Sequence, residues 1–329
     1  MKQTILKEVK ASKDFSYQRT VLNRLMGLLS RSSVLPILIS LWILFAFLAP
    51  SFATLRNART MLAATAVVAV AAIGETLILI NGGIDLSVAT VVACSAVLAA
   101  KFMAAEGSPF IGLLIALGVG LVFGIINGLL VAKLGLTPFV LTLGTGLIAR
   151  GIAFSISKGY AIRAPLALRQ FGIMNWLGLP VIVVISLAML VIFGLLLSKT
   201  TWGRYVYFLG ANKEAARYVG INCGLIGASV YVISGLLCGL AGYLSVAALG
   251  AAVPGVGDTI LLTIIGGVIL GGTSLFGGVG SVWRTALGVL LLATLTNGLN
   301  LLGFGFYDQL IAQGINYYWD RINYTLWIE

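Results

Sequence analysis

The chain has 329 residues, of which 60% are hydrophobic and 9% charged, and its mean hydropathy is +1.07. A soluble domain carries roughly a quarter of its residues as charges, so a water-soluble globule is excluded and lipid is the solvent for most of the sequence. The 21 Lys and Arg against 10 Asp and Glu leave a net charge of +11, and there is no histidine, which excludes histidine-based hydrolase or metalloenzyme chemistry. Cys94, Cys223 and Cys238 show no C-x-x-C spacing, so neither a zinc site nor a disulfide framework is indicated.

Residues 1–32 form a basic leader, with Lys2, Lys7, Lys10, Lys13, Arg19, Arg24 and Arg31 against Glu8 and Asp14. By the positive-inside rule they place the N-terminus in the cytoplasm. Because these charges sit beside a membrane span, they are a topological signal and not a nucleic-acid surface. From Asp14 to Arg31, Phe15, Leu22, Leu25, Met26 and Leu29 recur at helical spacing, which predicts a helix lying on membrane lipid at the cytoplasmic face. A cleaved signal peptide does not fit, since the polar leader is long and the apolar run continues into a polytopic protein.

Residues 33–304 read as one all-α transmembrane helix bundle of about nine to ten spans. At about twenty apolar residues per crossing, spans are predicted at Val34 to Ala49, Met61 to Ile80, Leu86 to Ala105, Phe110 to Ala132, Pro138 to Ile156 and Pro180 to Ser198. Gly224 to Leu249, Thr259 to Gly271 and Val282 to Leu302 follow, the middle one short enough to be a broken or half helix. Six crossings return the chain to the cytoplasm at Lys199, and the loop 199–222 is basic, as that side requires. Lys158, Arg163 and Arg169 on the opposite side run mildly against this orientation.

Several polar or glycine-rich features interrupt the apolar text. In the fourth span Gly112, Ala116, Gly120, Gly124 and Gly128 form a smooth stripe, a surface for close helix packing and not for ligand. Glu75 lies inside the second span, and Asp85 lies in the turn Asn81-Gly82-Gly83-Ile84-Asp85-Leu86-Ser87. A carboxylate at that depth either lines a pathway or holds helices together. Gly-Gly supplies unusual backbone angles that let Asp85 accept N–H groups opening the next helix, which favours structure for Asp85; for Glu75 both readings stand. Thr137-Pro138-Phe139 opens the fifth span, and the hydroxyls of Thr142 and Thr145 serve either a polar solute or the preceding turn. Gly266-Gly267, Gly271-Gly272-Thr273-Ser274 and Gly277-Gly278-Val279-Gly280-Ser281 are not a P-loop, since no G-x-x-x-x-G-K-[ST] occurs. Ser87, Phe139, Thr142, Asn297 and Asn300 join Glu75 and Asp85 as candidate path residues.

In the cytoplasmic loop, Asn212-Lys213-Glu214-Ala215-Ala216-Arg217-Tyr218 reads as a short helix. Asn212 is a good N-cap, Glu214 and Arg217 suit the two ends of the helix dipole, and Gly220 can terminate it. Ala215 and Ala216 leave room for a partner's groove, with Arg204, Lys213, Glu214 and Arg217 at its rim.

Five segments in order resemble the permease subunits of binding-protein-dependent ABC importers of the ribose, xylose and galactoside branch. They are Ala49-Pro50-Ser51-Phe52 before Asn57; Gly82-Gly83-Ile84-Asp85-Leu86-Ser87; Pro138-Phe139 with Thr142-Leu143-Gly144; Gly210, Asn212, Ala215-Ala216 and Gly220-Ile221; and Gly271-Gly272-Thr273-Ser274 with Gly277-Gly278. Ala89 stands where that family usually has glycine. The resemblance implies a homodimeric or paired permease, made with a second copy or a paralogue, in the bacterial cytoplasmic membrane. It also implies ATPase subunits docked on the cytoplasmic loop and a periplasmic or lipid-anchored sugar-binding protein that delivers a monosaccharide or sugar-like solute. No cofactor or metal is implied. The alternative is a stand-alone secondary transporter or channel using Glu75; an integral-membrane enzyme fits less well, as no nucleophile and base share a surface. The tail 305–329 departs from the family in being polar and aromatic, and the chain after Gly314 is expected to be a frameshift product, the alternative being an aromatic tail resting in the interface.

Overall fold

A computed structural model describes residues 34–305 and 307–315. The surface helix expected over Asp14 to Arg31 and most of the tail set apart above lie outside the described residues. Twelve helices carry the fold. They are α1 (Val34–Leu48), α2 (Leu55–Ile80), α3 (Val88–Glu106), α4 (Pro109–Gly128), α5 (Pro138–Ser157), α6 (Leu166–Ile173), α7 (Val181–Lys199), α8 (Thr201–Ala211), α9 (Lys213–Tyr218), α10 (Cys223–Leu249), α11 (Val256–Leu270) and α12 (Val282–Leu301). Residues 307–315 are helical as well.

Seven of these, α2, α3, α4 with its π-turn to Lys133, α5, α7, α10 and α12, are long and apolar enough to cross a membrane. All nine predicted spans are helical, but α1 and α11 have 15 residues each, or about 22 Å against a hydrocarbon core of about 30 Å. The starts are set by recognisable chemistry. Thr54 and Ser108 cap α2 and α4 by accepting from Asn57 N and Ile111 N, and proline begins α4 and α5, where its missing N–H costs nothing.

The loops sort to two ends of the bundle. At one end strand β1 (Ile162–Arg163) pairs antiparallel with strand β4 (Ala251–Ala252), and a small hairpin joins β2 (Asn175–Trp176) to β3 (Leu179–Pro180). At the other end the turn after α2, the turn after α4, the segment 199–222 and the glycine-rich loop 271–281 meet. Helix α10 runs between the two ends and packs on α2, α3, α4 and α6.

Its contact with α4 is the most extensive in the bundle, and the predicted glycine stripe is the reason. A Cβ on Gly120 would overlap the Gly235 carbonyl, and a Cβ on Gly239 would overlap the Ala116 carbonyl. Gly124 faces the backbone of Tyr231 and Val232, and Gly128 faces Ala228. Lipid offers no hydrophobic drive for helix association, so backbone approach and dispersion do the work. Gly112 is the exception, facing the Met103 side chain. We expect Gly120→Ala to lower the melting temperature of the detergent-purified protein by several degrees, because overpacking costs about 1–3 kcal/mol. Gly118→Ala, with nothing within 4 Å of the added carbon, should melt as wild type.

Candidate functional site

The polar residues that matter most converge where α2 ends and α3 begins. After Ile80 the chain does not leave the bundle; Gly82 N–H donates to Leu79 O at 2.9 Å and Gly83 N–H to Ile78 O at 3.0 Å, so it folds back beside the last turns of α2. Gly82 adopts φ +83°. Gly83 is required by crowding, since an added Cβ would lie 2.5 Å from the Tyr231 hydroxyl. Residues 83–85 run without helix at the level of Glu75, five residues before the end of α2. Irregular backbone at such depth persists only where protein satisfies its polar groups.

Side chains supply that satisfaction one group at a time. Asp85 N–H donates to Glu75 Oε1 at 3.2 Å, and Leu86 N–H to Thr142 Oγ1 at 3.0 Å. Asp85 Oδ1 accepts from Ser87 N–H at 2.7 Å and also from the Ser87 hydroxyl. The same hydroxyl accepts from Asn127 Nδ2 at 3.0 Å. Glu75, Asp85, Ser87, Asn127 and Thr142 are all buried, and no cation contacts either acid among the described residues. The carboxylate of Asp85 thus opens α3 as the turn chemistry predicts. One oxygen of Glu75, Asn127 Oδ1 and Tyr231 Oη find no protein hydrogen-bond partner.

The other candidate path residues lie elsewhere. Phe139 is half-exposed on the outside of α5. Asn297 makes a reciprocal amide pair with Asn57, at 2.8 and 3.0 Å, which ties α12 to the start of α2. Asn300 Oδ1 accepts from Gln309 Nε2 at 2.7 Å, and Gln313 Nε2 donates to Thr296 Oγ1 at 3.1 Å, so helix 307–315 folds back on α12. Asn127 and Tyr231 are members of the junction that the sequence reading passed over. Asn127 was legible as a polar residue interrupting an apolar span; Tyr231 carried no signal, because a tyrosine in an apolar helix is ordinary.

The loop 199–222 is more ordered than expected, with α8 preceding the predicted short helix. Gly203, Val206 and Leu209 bury one face of α8, Trp202 Nε1 donates to Ser229 Oγ at 2.9 Å, and Tyr207 Oη donates to Gly280 O at 2.9 Å. Burial holds the Tyr207 phenol above its ordinary pKa, with the Arg284 guanidinium pulling the other way. Asn212 caps α9 by accepting from Ala215 N–H at 2.9 Å. Gly220, at φ +79°, lets Ile221 N–H reach back to Ala216 O at 3.0 Å and ends it. One expectation is corrected: Ala216 is fully buried within this chain and is not open to a partner's groove. The exposed face is Lys213, Glu214, Arg217, Tyr218 and Val219, because α9 turns Ala216 inward to sit against its own bundle.

The glycine motifs of three segments meet beneath α8. Gly278 N–H donates to Ile80 O at 2.8 Å, a Cβ on Gly210 would overlap that same carbonyl, and a Cβ on Gly277 would lie 2.6 Å from Gly210 O and 2.9 Å from the Gly82 Cα. Loop 271–281 is therefore a packing wedge between α8 and the fold-back turn. For the junction itself, Asp85→Ala strands the Ser87 N–H and hydroxyl, each an unmet buried group worth about 1–3 kcal/mol. It should lower the melting temperature more than Asp85→Asn, which keeps an acceptor oxygen; equal losses would show that the acceptor is not what opens α3.

Comparison with known proteins matches this architecture to one family. A family model described as branched-chain amino acid transport system / permease component matches residues 57–324, which takes in the fold-back turn, the loop 199–222 and part of the tail. The ribose import permease protein of Escherichia coli (strain K12) is 37% identical over 286 residues, 84% of this chain and 89% of its own length. The ribose import permease protein of Bacillus subtilis (strain 168) is 37% identical over 276 residues, 83% of this chain and 86% of its own. The D-allose transport system permease protein of Escherichia coli (strain K12) is 38% identical over 278 residues, 82% of this chain and 84% of its own. No solved structure gives a significant match. With most of its length matched and seven helices fit to cross a bilayer, the chain belongs to this family of transport-system permease components and is a multi-pass membrane protein.

Proposed function

We propose that this chain is the membrane-spanning subunit of an ATP-driven importer that passes a monosaccharide from an external binding protein to the cytoplasm. Its relatives are named for ribose, D-allose, L-arabinose and fructose, and each named solute is an uncharged sugar. Cytoplasmic ATPase subunits supply the energy, since this chain has no P-loop. A second permease copy or a paralogue completes the path, in the bacterial cytoplasmic membrane.

The observation that carries this reading is the platform formed by α8 and α9. It presents Glu214 and Arg217 with the exposed Tyr218 and Val219 while its other side is pinned to the end of α2 through Gly210, Gly278 and Ile80. A force applied by an ATPase at the platform is thereby delivered to the turn that holds Asp85 and Glu75. A solvated loop would have no need of that wedge or of the buried Trp202 and Tyr207 hydrogen bonds.

Because Ala216 is internal, the informative substitutions are on the outer face. Glu214→Lys and Tyr218→Asp are expected to reduce ATPase co-purification several-fold and to abolish stimulation of ATP hydrolysis by sugar-loaded binding protein, with membrane insertion unchanged. Wild-type values for both variants would remove the platform as the docking site.

Glu75 is assigned to the moving part of the cycle. We expect Glu75→Gln to slow uptake, or to loosen its coupling to ATP use, more than it alters affinity for the binding protein. Poor accumulation of the variant with normal transport per molecule would reduce Glu75 to a helix contact.

A further inference from the structure

The described residues contain a single ion pair, Arg150 with Asp258, at 2.8 Å between Nη2 and Oδ2. Its arginine lies within the length of a membrane-crossing helix. Helix α5 has 20 residues, or about 30 Å, the thickness of the hydrocarbon core. Arg150 lies seven residues before its end at Ser157, about 10 Å from that boundary. One turn earlier Gly146 packs on α3, where an added Cβ would lie 3.2 Å from Thr90 Oγ1 and 3.3 Å from Ser87 Cα. Gly257, next to Asp258, packs on the same place, 2.7 Å from Ala89 O by the same measure. Both charges are therefore anchored to the layer that holds Ser87 and the buried acids.

Neither side chain is enclosed: Arg150 is 49% and Asp258 44% exposed. A half-open arginine about 10 Å inside a spanning helix is disfavoured against acyl chains and faces a water-filled cavity or a partner instead, and Asp258, in the first turn of the short α11, is held beside it by the ion pair. The guanidinium carbon also stands 5.7 Å from the Phe154 ring centroid, so the arginine is held from two sides before any ligand arrives.

We propose that Arg150, Asp258 and Phe154 form a carbohydrate-contacting station on the wall of the translocation path. The proposal rests on the sugar-import reading above. Its chemistry suits an uncharged polyol: the carboxylate accepts from hydroxyls, the remaining guanidinium N–H groups donate to them, and the Phe154 ring offers an apolar surface to the C–H face of a sugar. The pair sums to zero charge, so it does not concentrate ions as a lone acid or base would. Preset side chains also reduce the ordering cost of each transient contact.

The test reads water access and transport separately. Thr259→Cys, exposed beside Asp258, is made in the wild-type background, whose Cys94, Cys223 and Cys238 are buried. It is probed in membranes with a charged methanethiosulfonate reagent, against Leu187→Cys on the exposed side of α7. We expect labelling at least tenfold faster at 259 than at 187. Labelling at the control rate, or a spontaneous disulfide between copies without labelling, overturns the proposal and makes the pair a lipid-side or subunit contact. With ATPase and binding protein present, Arg150→Gln and Asp258→Asn should each cut sugar uptake about tenfold while ATPase co-purification holds. The exchanged pair Arg150→Asp with Asp258→Arg should accumulate as wild type and still transport poorly, which separates path chemistry from folding. Normal uptake by the single variants overturns the station. Absence of ATP-dependent uptake by the wild type overturns the import reading instead, and the labelling result still decides whether the pair faces water.

Discussion

The fold depends on one constraint: between α2 and α3 the chain turns back inside the bundle, where no lipid can satisfy its peptide groups. Each unmet N–H there costs several kcal/mol, and the structure answers with a particular side chain for each. Glu75 receives Asp85 N–H, Thr142 receives Leu86 N–H, and Asp85 receives Ser87 N–H. Three helices, α2, α4 and α5, are thus required around one turn, and Asn127 fixes α4 to it through Ser87. A carboxyl buried without a cation would otherwise be a liability; here it is the acceptor that an interrupted membrane helix needs.

Glycine makes this convergence geometrically attainable. The α4–α10 contact lets backbones touch, which brings Tyr231 against Gly83 and Asn127 to Ser87. At the end of the bundle that carries the loop 199–222 the same residue type serves a different purpose. Gly210, Gly277 and Gly278 allow α8 to rest directly on the end of α2, so α8, the wedge loop and the fold-back turn pack together as one unit. The contact runs through backbone atoms, with Gly210 and the Gly278 N–H against the Ile80 carbonyl.

Two further helices close the opposite side of the fold-back turn. Gly146 and Gly257 bring α5 and α11 against the start of α3, and the Arg150–Asp258 pair lies on the exposed side of that contact. The short length of α11 fits this arrangement, since its first turn begins inside the bundle beside Ala89 and not at a membrane boundary.

The sequence by itself determined the solvent, the run of apolar helices, the capping of α9 by Asn212 and the glycine stripe of α4, because composition, periodicity and local hydrogen bonding are properties of adjacent residues. It also singled out Glu75 and Asp85 by their cost in lipid. Tertiary structure alone decided what those costs support. Ala216 turns inward, Asn297 pairs with Asn57 from 240 positions away, Asn300 holds Gln309 of the helix that folds back on α12, Tyr231 covers Gly83, and Arg150 meets Asp258 across 108 positions. Each depends on which helix faces which, and no spacing along one chain encodes that; it is set by where glycine permits two backbones to approach and where an unmet N–H demands an oxygen.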